Sequence, residues 1–154
     1  MASKDIAIDI DSVESFSEEL VSFMMERPSL AVLDIFSTWA GPCRPFGNAM
    51  KALFINYDLL GKPAKYFRVD CLKILQDASK GGRKVRNPYF DLVERFRDQS
   101  MPHLMVVRQG EESFVVEGCN MPELEKEFAE AVQGFLRDLE VAQQEQDAAD
   151  GGDL

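Results

Sequence analysis

Leu30-Ala31-Val32-Leu33-Asp34-Ile35-Phe36-Ser37-Thr38-Trp39-Ala40-Gly41-Pro42-Cys43-Arg44 is the stretch on which the reading of this 154-residue chain turns. Its first seven residues form a compact apolar run of strand formers broken only by Asp34, the pattern of a strand buried on both faces. Thr38 to Pro42 is turn chemistry, with Gly41 and Pro42 as its punctuation. From Cys43 onward the period changes: Phe46, Met50, Leu53 and Phe54 fall on one face of a helix running to about residue 60. Pro45 belongs near the start of that helix, where its missing N–H costs nothing, or else it kinks the helix.

Working outward, residues 6–10 alternate apolar and polar and read as a short half-buried strand. Ser12 or Ser15 can cap the helix that follows, and Ser15 with Glu18 fits a capping box. Phe16, Leu20, Phe23 and Met24 share its face, and Pro28 ends it. Downstream, Gly61-Lys62-Pro63 separates the Cys43 helix from a third strand, Ala64–Asp70. Residues 72–78 carry a helical turn or two. Residues 79–88, with Gly81-Gly82, read as a basic loop, and 89–97 as a second short helix. His103–Arg108 and residues 113–117 flank Gln109-Gly110 as a hairpin. Pro122 suits the first turn of a long last helix with Leu124, Phe128, Val132, Phe135 and Leu139 on its apolar side. From Ala142 the composition predicts an acidic, frayed tail. Strands alternating with helices and closing on a hairpin predict an α/β sandwich around a mixed sheet, with one domain over residues 1–141 and a flexible tail over 142–154.

Composition narrows the function. Seventeen Lys plus Arg against 27 Asp plus Glu gives a net charge of −10, which repels nucleic acid and anionic membrane surfaces. Cys43, Cys71 and Cys119 are too few for a disulfide framework, and the expectation for each is a small buried hydrophobe. The acidic start lacks the basic and apolar regions of a signal peptide, no apolar run approaches a bilayer span, and the expectation is a soluble protein of a reducing, cytoplasmic compartment. His103 is the sole histidine, with no clustered Cys, and is expected to be a strand residue; no metal is expected. The Met24-Met25 pair reads as core filler. Gly81-Gly82 lacks the Lys-Ser/Thr of a phosphate loop, and no cofactor is expected.

The central stretch resembles the active-site motif of the thioredoxins, Trp-Cys-Gly-Pro-Cys-Lys/Arg, with Ala40 in place of the first Cys. Other motifs follow in the family's order over about residues 6–136. Asp34 stands where thioredoxins place a buried acid, Met101-Pro102 where they place a cis-proline before a strand, Gln109-Gly110-Glu111 at the hairpin turn, and Glu117-Gly118-Cys119-Asn120 before the last helix. The resemblance implies a thioredoxin-like three-layer sandwich, a central mixed sheet flanked by helices. Residues 79–97 are then an insertion between the third strand and the cis-proline strand.

In the family the first thiol of the motif sits at a helix N-terminus, where the dipole and free N–H groups lower its pKa and make it the attacking thiolate; the second resolves the mixed disulfide. A methyl group at Ala40 cannot attack sulfur, so no catalytic residue and no dithiol oxidoreductase activity are expected. Asp34 is then a relic of proton transfer or a hydrogen-bonded core acid. The resemblance implies that the peptide-gripping groove persists in Trp39, Pro42, Met101, Pro102 and Gly118. Six of the 17 basic residues, including Lys80, Arg83, Lys84 and Arg86, fall within residues 80–97 and form a basic island; it reads as a solvated loop or as a dock for an acidic partner surface, with Tyr89 and Phe90 as apolar anchors.

Phe96-Arg97-Asp98-Gln99-Ser100-Met101-Pro102 and the run after it are most similar to the thioredoxin-like light chains of axonemal outer-arm dynein. They are also similar to thioredoxin domains joined to nucleoside-diphosphate-kinase-like domains in cilia. That narrower resemblance implies a protein-binding subunit of a ciliary or flagellar motor complex, held on a dynein heavy-chain tail or intermediate chain. The alternatives are a monothiol exchange protein using Cys43, with or without Cys119, and a cytosolic client-binding module.

Overall fold

The computed structural model describes residues 6–37, 44–80, 90–96, 102–118 and 120–151. Five strands form one sheet in the order β1-β3-β2-β4-β5. They are β1 (Ala7–Ile10), β2 (Leu30–Phe36), β3 (Ala64–Asp70), β4 (His103–Arg108) and β5 (Glu111–Glu117). β1, β3 and β2 run parallel, while β4 and β5 complete the sheet antiparallel. This is the mixed sheet expected from the alternation of elements.

β2 is the central strand, and its first six residues are buried, as its unbroken apolar run requires. Its side chains alternate between two cores. Ala31, Leu33 and Ile35 face one that holds Phe16, Leu20, Phe23, Met24, Phe67 and Ile74. Leu30 and Val32 face the other, with Phe46, Met50, Phe54, Phe128 and Phe135. Each fully buried Phe contributes roughly 2–3 kcal/mol of transfer free energy, so the aromatic weight on both faces anchors the sandwich.

On the first face lie α1 (Val13–Ser15), a π-helical stretch (Phe16–Val21) and α2 (Ser22–Met24), which run on as one helical segment. The capping box differs from the expected one. Ser12 accepts the Ser15 N–H at 3.0 Å and Ser15 Oγ accepts the Ser12 N–H at 3.1 Å. Asp77 Oδ2 accepts the N–H of Val13 at 2.8 Å, so a neighbouring helix satisfies another first-turn donor. α4 (Cys71–Lys80) and α5 (Phe90–Arg95) complete this side. α4 is a full helix where one or two turns were expected, and it takes in Ser79 and Lys80 from the predicted loop.

On the second face lie α3 (Arg44–Asn56) and α6 (Met121–Gly151). Asn120 caps α6 by accepting the Glu123 N–H at 3.3 Å, and Pro122 sits in its first turn as predicted. At 31 residues α6 is about 46 Å long. It stays helical through Gly151, where composition alone predicts fraying from Ala142. Pairs four residues apart support the extension: Gln143 donates to Asp147 at 3.0 Å and Gln146 to Asp150 at 3.2 Å. The β4–β5 turn is of the mirror-image kind favoured in hairpins, with φ of 56° at Gln109 and 76° at Gly110.

Candidate functional site

Parallel strands bring their carboxyl ends to one edge of the sheet. Register pairs Phe36 with Asp70, Ile35 with His103 and His103 with Glu117, so the end of β2, the end of β3, the start of β4 and the end of β5 meet at one pole. β2 leaves this pole through Ser37, which is buried, and α3 begins at Arg44. The segment joining a buried strand to a helix N-terminus is therefore the motif segment, residues 38–43. Trp39, Ala40, Gly41, Pro42 and Cys43 themselves lie outside the described residues, as do Arg83, Lys84, Arg86, Met101 and Cys119. The expected cis state of Pro102 involves Met101 and also falls outside them.

Two predicted groove residues do come together. Gly118 donates its N–H to the carbonyl of Pro102 at 2.8 Å, closing the pole between β4 and β5. Gly118 has φ of 68°, a left-handed conformation that glycine adopts without a steric penalty. Lys80 is not part of this cluster. α4 starts at the pole, directly after Asp70, and its ten residues carry Lys80 about 15 Å away to an exposed position.

Asp34 sits where the apolar row of Leu30 and Val32 continues toward the pole, and it is 0% exposed. Tyr66 on β3 donates its hydroxyl to Asp34 Oδ2 at 3.0 Å, and Tyr66 is itself buried. A buried carboxyl is stable only when hydrogen-bonded, and a buried tyrosine needs a partner for its hydroxyl, so each answers the other's requirement. Asp34 is thus a hydrogen-bonded core acid. It also lies on the strand that runs directly into the motif. Tyr66 was missed by the sequence reading, although a tyrosine amid a buried run signals an unfilled hydrogen bond.

Asp70, at the end of β3, was also missed. It is buried, and its Oδ1 accepts the N–H of Lys73 at 3.2 Å in the first turn of α4. With Asp11, Phe36, Arg68 and Lys73 it lines a cavity of about 320 Å³ at the strand ends. Asp9 lies alongside, ion-paired to Arg68 at 2.9 Å. His103 is a buried strand residue, as expected, with its ring centroid 4.7 Å from that of Phe96. Among the described residues no group of three His, Cys, Asp or Glu is arranged to hold a metal ion.

Cys71 has the opposite character to an attacking thiol. It is 1% exposed and unpaired by disulfide, at the head of α4. Burial, with a smaller contribution from the Asp70 carboxylate, pushes its thiol from 9.0 up to about 12. It stays protonated at neutral pH and supplies no nucleophile. No described helix is long and apolar enough to cross a membrane.

No family model matches the chain. The human protein named thioredoxin domain-containing protein 6 is 26% identical over 123 residues; the alignment covers 80% of this chain and 31% of that protein. The chain thus spans about a third of the length of this curated relative. Solved structures agree on the fold. A thioredoxin from Nicotiana alata superimposes with a TM-score of 0.55 at 22% identity, covering 85% of this chain and 96% of its own. The germline-specific thioredoxin Deadhead of Drosophila melanogaster gives 0.53 at 21%, covering 80% and 97%. A thioredoxin from Trypanosoma brucei brucei gives 0.52 at 20%, covering 86% and 97%. These superpositions, with the mixed five-strand sheet flanked by helices, show that the chain has the thioredoxin fold.

Proposed function

We propose that this chain is a thioredoxin-fold protein-binding subunit that lacks dithiol oxidoreductase activity, a light chain of axonemal outer-arm dynein seated on a heavy-chain tail or an intermediate chain. The observation that carries the reading is Ala40. It occupies the first cysteine position of a motif that the fold sets between the end of β2 and the start of α3. Thiol exchange begins with a thiolate there, and alanine has no atom that can donate an electron pair to a disulfide. What persists is a strand-end pole with Pro102 bonded to Gly118, the part of the scaffold that grips an extended chain. The ciliary motor assignment draws its support from residues 96–102 and the run that follows.

Reduction of insulin disulfides, driven by NADPH and a thioredoxin reductase, tests the redox half. The expected turnover is at the level of the enzyme-free control, and turnover comparable to an active thioredoxin would sink the reading. Gentle affinity purification tests the partner half: stoichiometric dynein chains are expected, and recovery of the chain alone, or with many substoichiometric clients, would overturn it. Native alkylation mapped by mass spectrometry separates the monothiol alternative, which requires Cys43 to be labelled before unfolding.

A further inference from the structure

β5 ends the sheet at the edge opposite β1, with β4 on one side and no described strand on the other. Every residue from the turn at Gln109-Gly110 to Gly118 is described. Among the described residues, Glu111–Glu117 make no hydrogen bond or ion pair outside the β4 ladder except the Glu112 pair with Arg95. Bonded and unbonded pairs alternate along an antiparallel ladder. Gly118 bonds to Pro102, so Val116 opposite Leu104 is the next bonded residue, and the N–H and C=O groups of Val115 and Glu117 point outward from the sheet edge.

Between β5 and α6 lies a cavity of about 380 Å³. It is lined by Phe114, half-buried, and by Ala131 and Gly134, two small buried residues about one turn apart on α6. Arg108 lies across Gly134, where any Cβ would meet its guanidinium, and it pairs with Asp138 at 3.7 Å. Glu111, Glu127 and Glu130 share the cavity with Arg137, and among the described residues none of these four makes an ion pair.

We propose that this edge binds an extended segment of a protein partner, added as a strand beside β5, whose Lys or Arg side chains enter the cavity. The outward backbone groups supply main-chain hydrogen bonds, and every second side chain of an added strand falls on the α6 side of the sheet, as Phe114 does. There the small residues leave room for an aliphatic stem, and the carboxylates meet its charged head. Charge selects the occupant. Three unpaired carboxylates stand against one unpaired guanidinium, and Glu117 adds another carboxylate along the edge, so acidic segments and phosphate groups are repelled. A second copy of this chain is repelled too: its β5 would bring its own Glu111, Glu112 and Glu117 to this edge, and like charges across a strand pair are destabilising. The cavity lies away from the Pro102–Gly118 pole, since Glu111 precedes Gly118 by seven residues, about 23 Å along β5. The proposal does not depend on redox silence: insulin turnover would defeat that reading and leave this edge untouched.

The test titrates the ¹⁵N-labelled full chain with an acetylated eight-residue peptide alternating Lys and Val, and with its Glu–Val counterpart. With the basic peptide alone, saturable amide shifts are expected at Ser113, Val115, Glu117, Glu127 and Glu130. Hydrogen exchange of the outward Val115 and Glu117 amides should slow by about tenfold or more at saturation. Glu127→Lys combined with Glu130→Lys should weaken binding by about tenfold or more, while Glu140→Lys with Glu145→Lys, the same charge change further along α6, should stay within about twofold. Two copies of the basic peptide, N-methylated at every Lys or at every Val, keep the charges and each block one edge of the added strand; at least one should lose binding. Equal binding of the acidic peptide, unchanged exchange at Val115 and Glu117, equal loss in both double variants, full binding by both methylated peptides, or no saturation by about 1 mM would each overturn the proposal. Should the cavity variant lose its native circular dichroism, the exchange rates and the methylated peptides decide on the wild-type chain.

Discussion

A carboxyl with no exposed surface, set in a row with Leu30 and Val32, is tolerated only with hydrogen-bonding partners, and the Tyr66 hydroxyl at 3.0 Å is one of them. Tyr66→Phe removes that donor while keeping the ring's packing. It is expected to cost about 1–3 kcal/mol by urea denaturation. With Asp34→Asn in a double-mutant cycle the coupling should reach about 0.5–3 kcal/mol, and additive single effects would deny the pairing. The acid was legible in the sequence because it interrupts an otherwise unbroken apolar run. Its partner was not, because that choice depends on β3 lying parallel beside β2 in a register that pairs Val32 with Tyr66. Cys71 was legible as a buried hydrophobe, but not its raised titration. Its folded-state thiol holds its proton up to about 12 while the unfolded thiol releases it near 9.0. That contribution to stability is complete below pH 9 and is lost as pH climbs toward 12. Denaturation midpoints compared at about pH 8 and pH 10.5 should fall more for the wild type than for Cys71→Ala, and equal declines would refute the shift.

Elements were most legible where a run of one kind is bounded by punctuation. β2 and β3 occupy Leu30–Phe36 and Ala64–Asp70, the limits read from apolar runs closed by Pro28 and by Gly61-Lys62-Pro63. Caps and ends were less legible. Ser12 with Ser15 and Ser15 with Glu18 offer similar local signatures; the structure takes the first, with Asp77 of α4 bonded to the N–H that follows Ser12. α6 departs furthest from expectation. Its apolar stripe ends with the core residues near Leu139, so burial gives no reason to continue, yet local pairs and good helix formers carry it to Gly151. Because residues 143–150 are exposed, this extension adds helix without adding core. A chain ending at residue 142 should therefore lose far-ultraviolet helical signal while its thermal midpoint stays within about 2 °C. A larger drop would mean that the extension packs on the domain.

Across the whole molecule the charge is lopsided. A chain of net charge −10 places six of its 17 basic residues within residues 80–97 and none after Arg137. The carboxyl-terminal end of that segment is tied to the sheet rather than left as a passive loop. Phe96 is buried against His103, Arg95 pairs with Glu112 of β5 at 3.0 Å, and Arg95 also lies 5.1 Å from the Phe96 ring centroid. The exposed ion pair is worth at most about 1 kcal/mol, so the buried ring is the anchor. If the basic residues of 80–97 dock on an acidic partner surface, attraction there acts within about 8 Å at physiological salt. Lys80→Glu combined with Lys84→Glu removes two positive charges there and adds two negative ones. If the island docks on an acidic surface, co-purification with the motor complex should drop severalfold at low salt, and the remaining association should lose most of its salt dependence. Undiminished co-purification at both low and high salt would return residues 80–97 to the role of a solvated insertion.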